Sequence, residues 1–153
     1  MAAYSMPQKN QPHANTYLTQ QVMTATPEQL MMMLYDGAIQ AIKTARSATE
    51  KSPADIATAH RNLKKAQNII MEFMNTLDFE QVPEFAPKLY ALYEYLYFRL
   101  VEANIKKNVD VMNEVLWHMQ QLRTTWDEAI RIAAKERHAQ RQSENPDAFQ
   151  LSA

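Results

Sequence analysis

The residues able to do chemistry are few, and their spacing does not gather them. Glu114 and His118 stand four apart, so a helix brings both to one face. One carboxylate and one imidazole make an incomplete metal site, and the ordinary reading of such a pair is a solvated helix face. Di-metal carboxylate bundles use Glu-x-x-His pairs on facing helices, and that four-residue motif does not occur here. His13 and His138 lie in or near polar ends of the chain, and His60 is flanked by Ala59 and Arg61. The carboxylates are scattered over polar faces rather than set among apolar neighbours, where burial would raise a pKa for acid–base work. The chain contains no cysteine, hence no thiol nucleophile, disulfide or cysteine-based zinc site. The reading is a protein without catalytic, metal or cofactor residues, not an enzyme.

The elements that would position any site are better marked. The 153 residues contain one glycine, Gly37, where average usage of about 7% would supply roughly ten. Tight hairpins, phosphate-cradling loops and dinucleotide fingerprints all require glycines, so those folds and their chemistry are excluded. Sixteen Lys and Arg face seventeen Asp and Glu, a net charge of −1, which argues against nucleic acid as the partner. No apolar run approaches the length of a membrane span and no signal-like h-region opens the chain, so the expected location is the cytosol.

Residues 1–15, rich in Gln, Asn and Pro, read as a disordered tail. The first long helix opens at Thr26-Pro27-Glu28-Gln29, with Thr26 as N-cap, Gln29 closing a capping box and Pro27 at N1. On it, Gly37 with Ala38 and Ala41 would permit close helix approach. Ser52-Pro53-Ala54-Asp55 offers a second capping-box-like start. Ile56, Ala59, Leu63, Ala66, Ile70, Phe73 and Leu77 follow in 3-4 spacing, the seam of a bundle helix.

A third helix begins near Pro83 to Pro87. Phe85, Leu89, Leu92, Leu96, Leu100 and Ala103 form one seam, Tyr90, Tyr93, Tyr97 and Val101 a second, and Tyr95 and Phe98 lie off both. Its circumference is apolar beyond what one interface covers. After a polar break from Asn104, Asn108 is placed to cap a fourth helix carrying Met112, Val115, Met119, Leu122, Trp126, Ala129 and Ala133, running to about His138. Residues 139–153 read as a second tail. Leu63, Ile70, Leu89, Leu96, Met119 and Trp126 lie on regular seams and are assigned to the core. The expected fold is an all-α, antiparallel up-down four-helix bundle over residues 16–138, with an N-terminal cap segment.

Ten methionines, four of them at Met23, Met31, Met32 and Met33, and four of seven tyrosines between positions 90 and 97 suggest an adaptable apolar groove. Such grooves take amphipathic helices. Candidate partner contacts are Met31, Met32, Tyr35, Tyr90, Tyr97 and Val101. Tyr17, Leu18 and Val22 are a candidate tethered lid; the alternative is an ordinary N-terminal segment packed permanently on the bundle.

Several stretches in order resemble one family. Tyr17-Leu18-Thr19-Gln20-Gln21-Val22, then Thr24-Ala25-Thr26-Pro27, Leu30 and Met33-Leu34-Tyr35-Asp36-Gly37-Ala38-Ile39, are similar to the opening of FliS, the flagellin export chaperones. Lys65-Ala66-Gln67-Asn68-Ile69-Ile70, Leu89-Tyr90 with Arg99-Leu100-Val101-Glu102-Ala103-Asn104, and Glu114-Val115 with Leu122-Arg123 and Trp126 continue the match through about residue 132. Thr26 stands where many members have Ser, which keeps the cap.

The resemblance implies a bundle that binds the disordered C-terminal segment of flagellin and prevents its premature polymerisation. It further implies presentation of that cargo to the flagellar type III export gate. In that family the N-terminal segment is displaced by cargo, and its tyrosine, here Tyr17, is tied to cargo and gate contacts. A free monomer and a one-to-one cargo complex are then expected, with no membrane insertion. Asn104 is matched in the family and is read here as a cap of the third helix. The competing reading is a helical bundle that self-associates through its tyrosine-rich face.

Overall fold

The computed structural model describes the backbone of residues 11–145 and the side chains of residues 16–145. Five helices follow one another: α1 (Gln11–Thr24), α2 (Pro27–Glu50), α3 (Ile56–Thr76), α4 (Ala86–Lys106) and α5 (Val109–Glu144). Two boundaries differ from the sequence reading of the tails. Residues 11–15 open α1 rather than belonging to an unstructured tail, and α5 continues past His138 to Glu144. The remaining tail residues, 1–10 and 146–153, lie outside the described part.

The helix starts follow local chemistry. Thr26 Oγ1 accepts from the Gln29 amide at 3.2 Å, while Gln29 Oε1 accepts from the Thr26 amide at 3.0 Å. This is the reciprocal box expected, with Pro27 in the first turn. Asn108 Oδ1 accepts from the amides of Asp110 and Val111 and so caps α5. Each such cap stabilises its helix by about 1 kcal/mol. The start of α3 requires a correction. Its cap is Asp55, which accepts from the Thr58 amide at 3.1 Å, rather than Ser52, which stays in the connecting turn. An aspartate immediately before the first helical turn competes better than a serine held three residues back beside a proline. The Thr58 side chain first, and then its amide, hold the Asp55 carboxyl below its ordinary pKa.

Helices α2 to α5 close a ring in which α2 packs on α3 and α5, and α4 packs on α3 and α5. Named pairs give the antiparallel registers. Phe73 of α3 stacks on Tyr93 of α4, and His60 meets Asn104 farther along the same two helices. Asp36 pairs with Arg123, and Arg46 with Asn113, across α2 and α5. Glu114 of α5 takes both Arg99 and Tyr95 of α4. The ring is the antiparallel bundle that the seams predict.

Ile42, Leu63, Ile70, Leu96, Leu100, Met112, Val115 and Met119 are fully enclosed in its core. Burying a side chain of this size contributes about 1.5–3 kcal/mol. Leu89 is buried as assigned, whereas Trp126 packs half-buried against the core from its edge. Two seam residues, Ile56 and Phe85, are half exposed because they sit at the first residue of α3 and the cap of α4.

Asn104 does not cap α4. The helix ends on Lys107 in the left-handed region, φ 50°, whose amide bonds the Ala103 carbonyl. The Asn104 side chain is buried instead, donating to His60 Nδ1 at 3.0 Å and accepting from Lys107 Nζ at 2.7 Å. His60 therefore has the partner that the sequence did not reveal.

Helix α5 has 36 residues against 21 in α4, about 54 Å against about 32 Å. It outruns the ring, and every residue from Arg131 to Asn145 is exposed. Helix α1 also leaves at that end, where α2 begins, and every described side chain from Thr16 to Thr24 is exposed.

Gly37 lies mid-helix in α2, and a methyl group added there would meet only Ile69 Cδ1, at 3.5 Å. Close packing against α3 therefore does not demand a glycine. Alanine is the better helix former, so Gly37→Ala should stabilise the fold by about 1 kcal/mol. Urea denaturation checks this; a loss of stability would show that α2 and α3 press closer than the 3.5 Å contact implies.

Candidate functional site

Tyr35 is the clearest departure from the expected partner contacts. Alternate turns of α2 point it inward, between α3 and α4, and it is fully buried. Its ring stacks on Phe73 with centroids 4.5 Å apart, Phe73 stacks on Tyr93, and the Tyr35 and Tyr93 hydroxyls hydrogen-bond each other. Burial raises both phenols above their ordinary pKa, strongly for Tyr35; for Tyr93 the hydrogen bond to Tyr35 and then the Trp126 indole oppose the shift. Tyr35 is therefore a core residue and not a contact for an external partner. Its hydroxyl made it look surface-seeking, and the missing signal was a second tyrosine on a helix that the sequence could not place opposite.

The other five candidates are half-buried but do not share one groove. Met32 lines a cleft of about 620 Å³ with Met33, the α1–α2 link, and Asp127, Ile130 and Arg137 of α5. Met31 packs against the core. On α4, Tyr90 leans on Phe79 of the α3–α4 connection, and Tyr97 sets its edge against Phe98. Val101 continues that side of the helix, one turn beyond Tyr97.

The three lid candidates lie on α1, uncovered. Tyr17 is 69% exposed, Leu18 53% and Val22 44%. Gln21 and Thr24 edge the Met32 cleft, and the apolar side chains of α1 stay largely exposed.

A further apolar strip was only partly legible. Tyr95, Phe98 and Ile105 recur along α4 at 3-7 spacing and are exposed, and Trp117 of α5 is exposed beside His118, whose ring also meets Tyr95. Tyr95 is fixed by donating its hydroxyl to Glu114, and Arg99 clamps the same carboxylate. Those two hydrogen bonds, Arg99 first, hold Glu114 below its ordinary pKa, and donation to Glu114 raises the Tyr95 phenol. Glu114 is thus committed to a structural pair across α4 and α5. Among the described residues, no cluster of three His, Asp or Glu side chains is arranged to hold a metal ion, and no helix is long and apolar enough to cross a membrane.

The Tyr35–Tyr93 pair makes a quantitative prediction. Tyr35→Phe leaves the Tyr93 hydroxyl buried with a lost partner and should cost about 1–3 kcal/mol in urea denaturation. Replacing both tyrosines by phenylalanine should cost clearly less than the two single changes added together. Additive losses would contradict a mutual bond.

Comparison with known proteins supports the arrangement from outside. A profile of the family described as "Flagellar protein FliS" matches residues 9–133. The "Flagellar secretion chaperone FliS" of Bacillus subtilis is 39% identical over 122 residues, covering 80% of this chain and 89% of the relative. That of Salmonella typhimurium is 34% identical over 115 residues, covering 74% and 84%. The FliSB chaperone of Pseudomonas aeruginosa is 34% identical over 107 residues, covering 70% and 83%. The family match runs from just before α1 to Ala133 of α5 and spans the paired Asp36 and Arg123, so the chain belongs to the FliS family of flagellar secretion chaperones.

Proposed function

We propose that this chain binds the disordered C-terminal segment of flagellin in the bacterial cytosol, keeps it from polymerising, and presents it to the flagellar export gate. The observation that carries the reading is the division between a closed core and an unused apolar surface. The ring of α2 to α5 encloses its own core, yet Tyr17, Leu18, Val22 and Met23 on α1 remain exposed. Apolar side chains that the fold does not need are available to a partner. A disordered cargo fits such a surface, because it can order as its anchors seat and wrap a large area at modest affinity per unit area.

In this reading Met31, Met32, Tyr90, Tyr97 and Val101 contact cargo, and Tyr35 supports them from within. Helix α1, whose apolar side chains stand exposed in this structure, acts as a lid that closes over this surface and competes with cargo through Tyr17, Leu18 and Val22. The linker between α1 and α2, two residues long, keeps that helix beside the Met32 cleft. The free chain is a monomer and the complex is one-to-one. One observation favours a second reading: the exposed Tyr95, Phe98, Ile105 and Trp117 strip suits self-association. Light scattering distinguishes a monomer from a dimer.

Calorimetric titration with the C-terminal segment of flagellin tests the proposal. Saturation at one cargo per chain with a negative heat-capacity change is expected. A Tyr17→Ala, Val22→Ala double variant should bind with altered affinity, since both side chains belong to the proposed lid. Unchanged affinity in the variant would discard the lid. Failure of the unaltered chain to bind would overturn the cargo assignment.

A further inference from the structure

The single glycine sits beside a groove that the cargo reading does not use. Between α2 and α3 an open depression of about 490 Å³ has Leu34 and Ile69 as its apolar floor. Gly37, half-buried, adjoins that floor, since a side chain placed on it would reach Ile69. The rim is supplied by Arg61, Lys64, Lys65, Asn68 and Glu72, which fall on one face of α3. None of the sequence-derived contacts, Met31, Met32, Tyr90, Tyr97 or Val101, lines it.

Two features there have no internal explanation. Glycine in the middle of a helix is unfavourable relative to alanine, and the contact at 3.5 Å leaves room for a methyl group. Three cations crowd one rim, and among the described residues none of them forms an ion pair. Arg61 donates to Thr58 Oγ1, and Glu72 at the far end is the one acidic residue on the rim.

We infer that the α2–α3 groove docks an acidic amphipathic helix, whose backbone approaches closely at Gly37 and whose carboxylates meet Arg61, Lys64 and Lys65. The floor between two antiparallel helices is the shape that a third helix packs into. Positions 61 to 72 span about 17 Å at helical rise, room for a partner of roughly three turns. Apolar residues at i, i+3 and i+7 would seat on Leu34 and Ile69. A glycine lets the partner's backbone come nearer than any side chain would permit. Three positive charges against one negative select an acidic partner over a basic one. This docking is independent of which protein fills the cargo surface.

Two synthetic helical peptides of about four turns test it, both with leucine at 3-4 spacing, one flanked by glutamates and the other by lysines. Titrated into the full chain and followed by amide NMR, the acidic peptide should shift Leu34, Gly37, Lys65 and Ile69. Lys64→Glu with Lys65→Glu should weaken it about tenfold, with salt dependence reduced. Gly37→Leu should abolish binding while leaving helical content unchanged; should that variant misfold, the charge reversal, confined to exposed side chains, decides alone. Equal binding of both peptides, shifts confined to another face, or no binding of the acidic peptide would overturn the inference.

Discussion

The hydrogen bond between Tyr35 and Tyr93 ties together helices that face each other diagonally across the bundle. Each hydroxyl, removed from water, needs a partner, and each finds it in the other. That requirement fixes α2 against α4, and Phe73 stacked between the two rings fixes α3 with them. With those three helices in place, α5 closes the ring through Asp36–Arg123 on one side and Arg99–Glu114 on the other. A core of uniform aliphatic side chains tolerates sliding; a buried polar pair with one matching register does not. In this bundle the tyrosine pair does what a buried polar residue does in a coiled coil.

The ring closes without α1, whose described side chains from Thr16 to Thr24 are all exposed. The apolar residues of α1 are surplus to the fold, as are those of the α4 strip and the single glycine beside the α2–α3 groove. The three surfaces differ in character. Helix α1 is a tethered apolar element, the α4 strip is aromatic and partly organised by the Glu114 clamp, and the α2–α3 groove is apolar with a basic rim. Under the proposed function, a long disordered cargo would be held by weak contacts distributed over several faces, since release must follow binding. Half-buried methionines and tyrosines, which repack at little cost, suit that task better than a deep fixed pocket.

How far the sequence could be read depended on whether the deciding interaction was local. The Thr26 box and the Asn108 cap are contacts within one turn, and both stand where the pattern placed them. The 3-4 seams identified Leu63, Ile70, Leu89, Leu96 and Met119 as core because burial follows the helical period. Two of the failures share a cause: each needed knowledge of which helix lies opposite. Tyr35 looked like a surface contact until Tyr93 was placed across from it. Asn104 looked like a cap until His60 was. Ala129 and Ala133 continue the seam of α5 but are exposed. Ser52 lost to Asp55 by a margin of position that the four-residue motif did not encode. Of the candidate site, residue types were legible in sequence, whereas their distribution over separate faces was not.

The central claim is that α2 to α5 form a complete folding unit and α1 does not contribute to it. Native-state hydrogen exchange on the free full chain measures this helix by helix. The account predicts that amides of α1, residues 11–24, exchange with little protection, while those around Tyr35, Phe73 and Tyr93 exchange only through global unfolding. Protection of α1 equal to that of the bundle core would contradict it, and would mean that the helix is an integral fifth member of the fold.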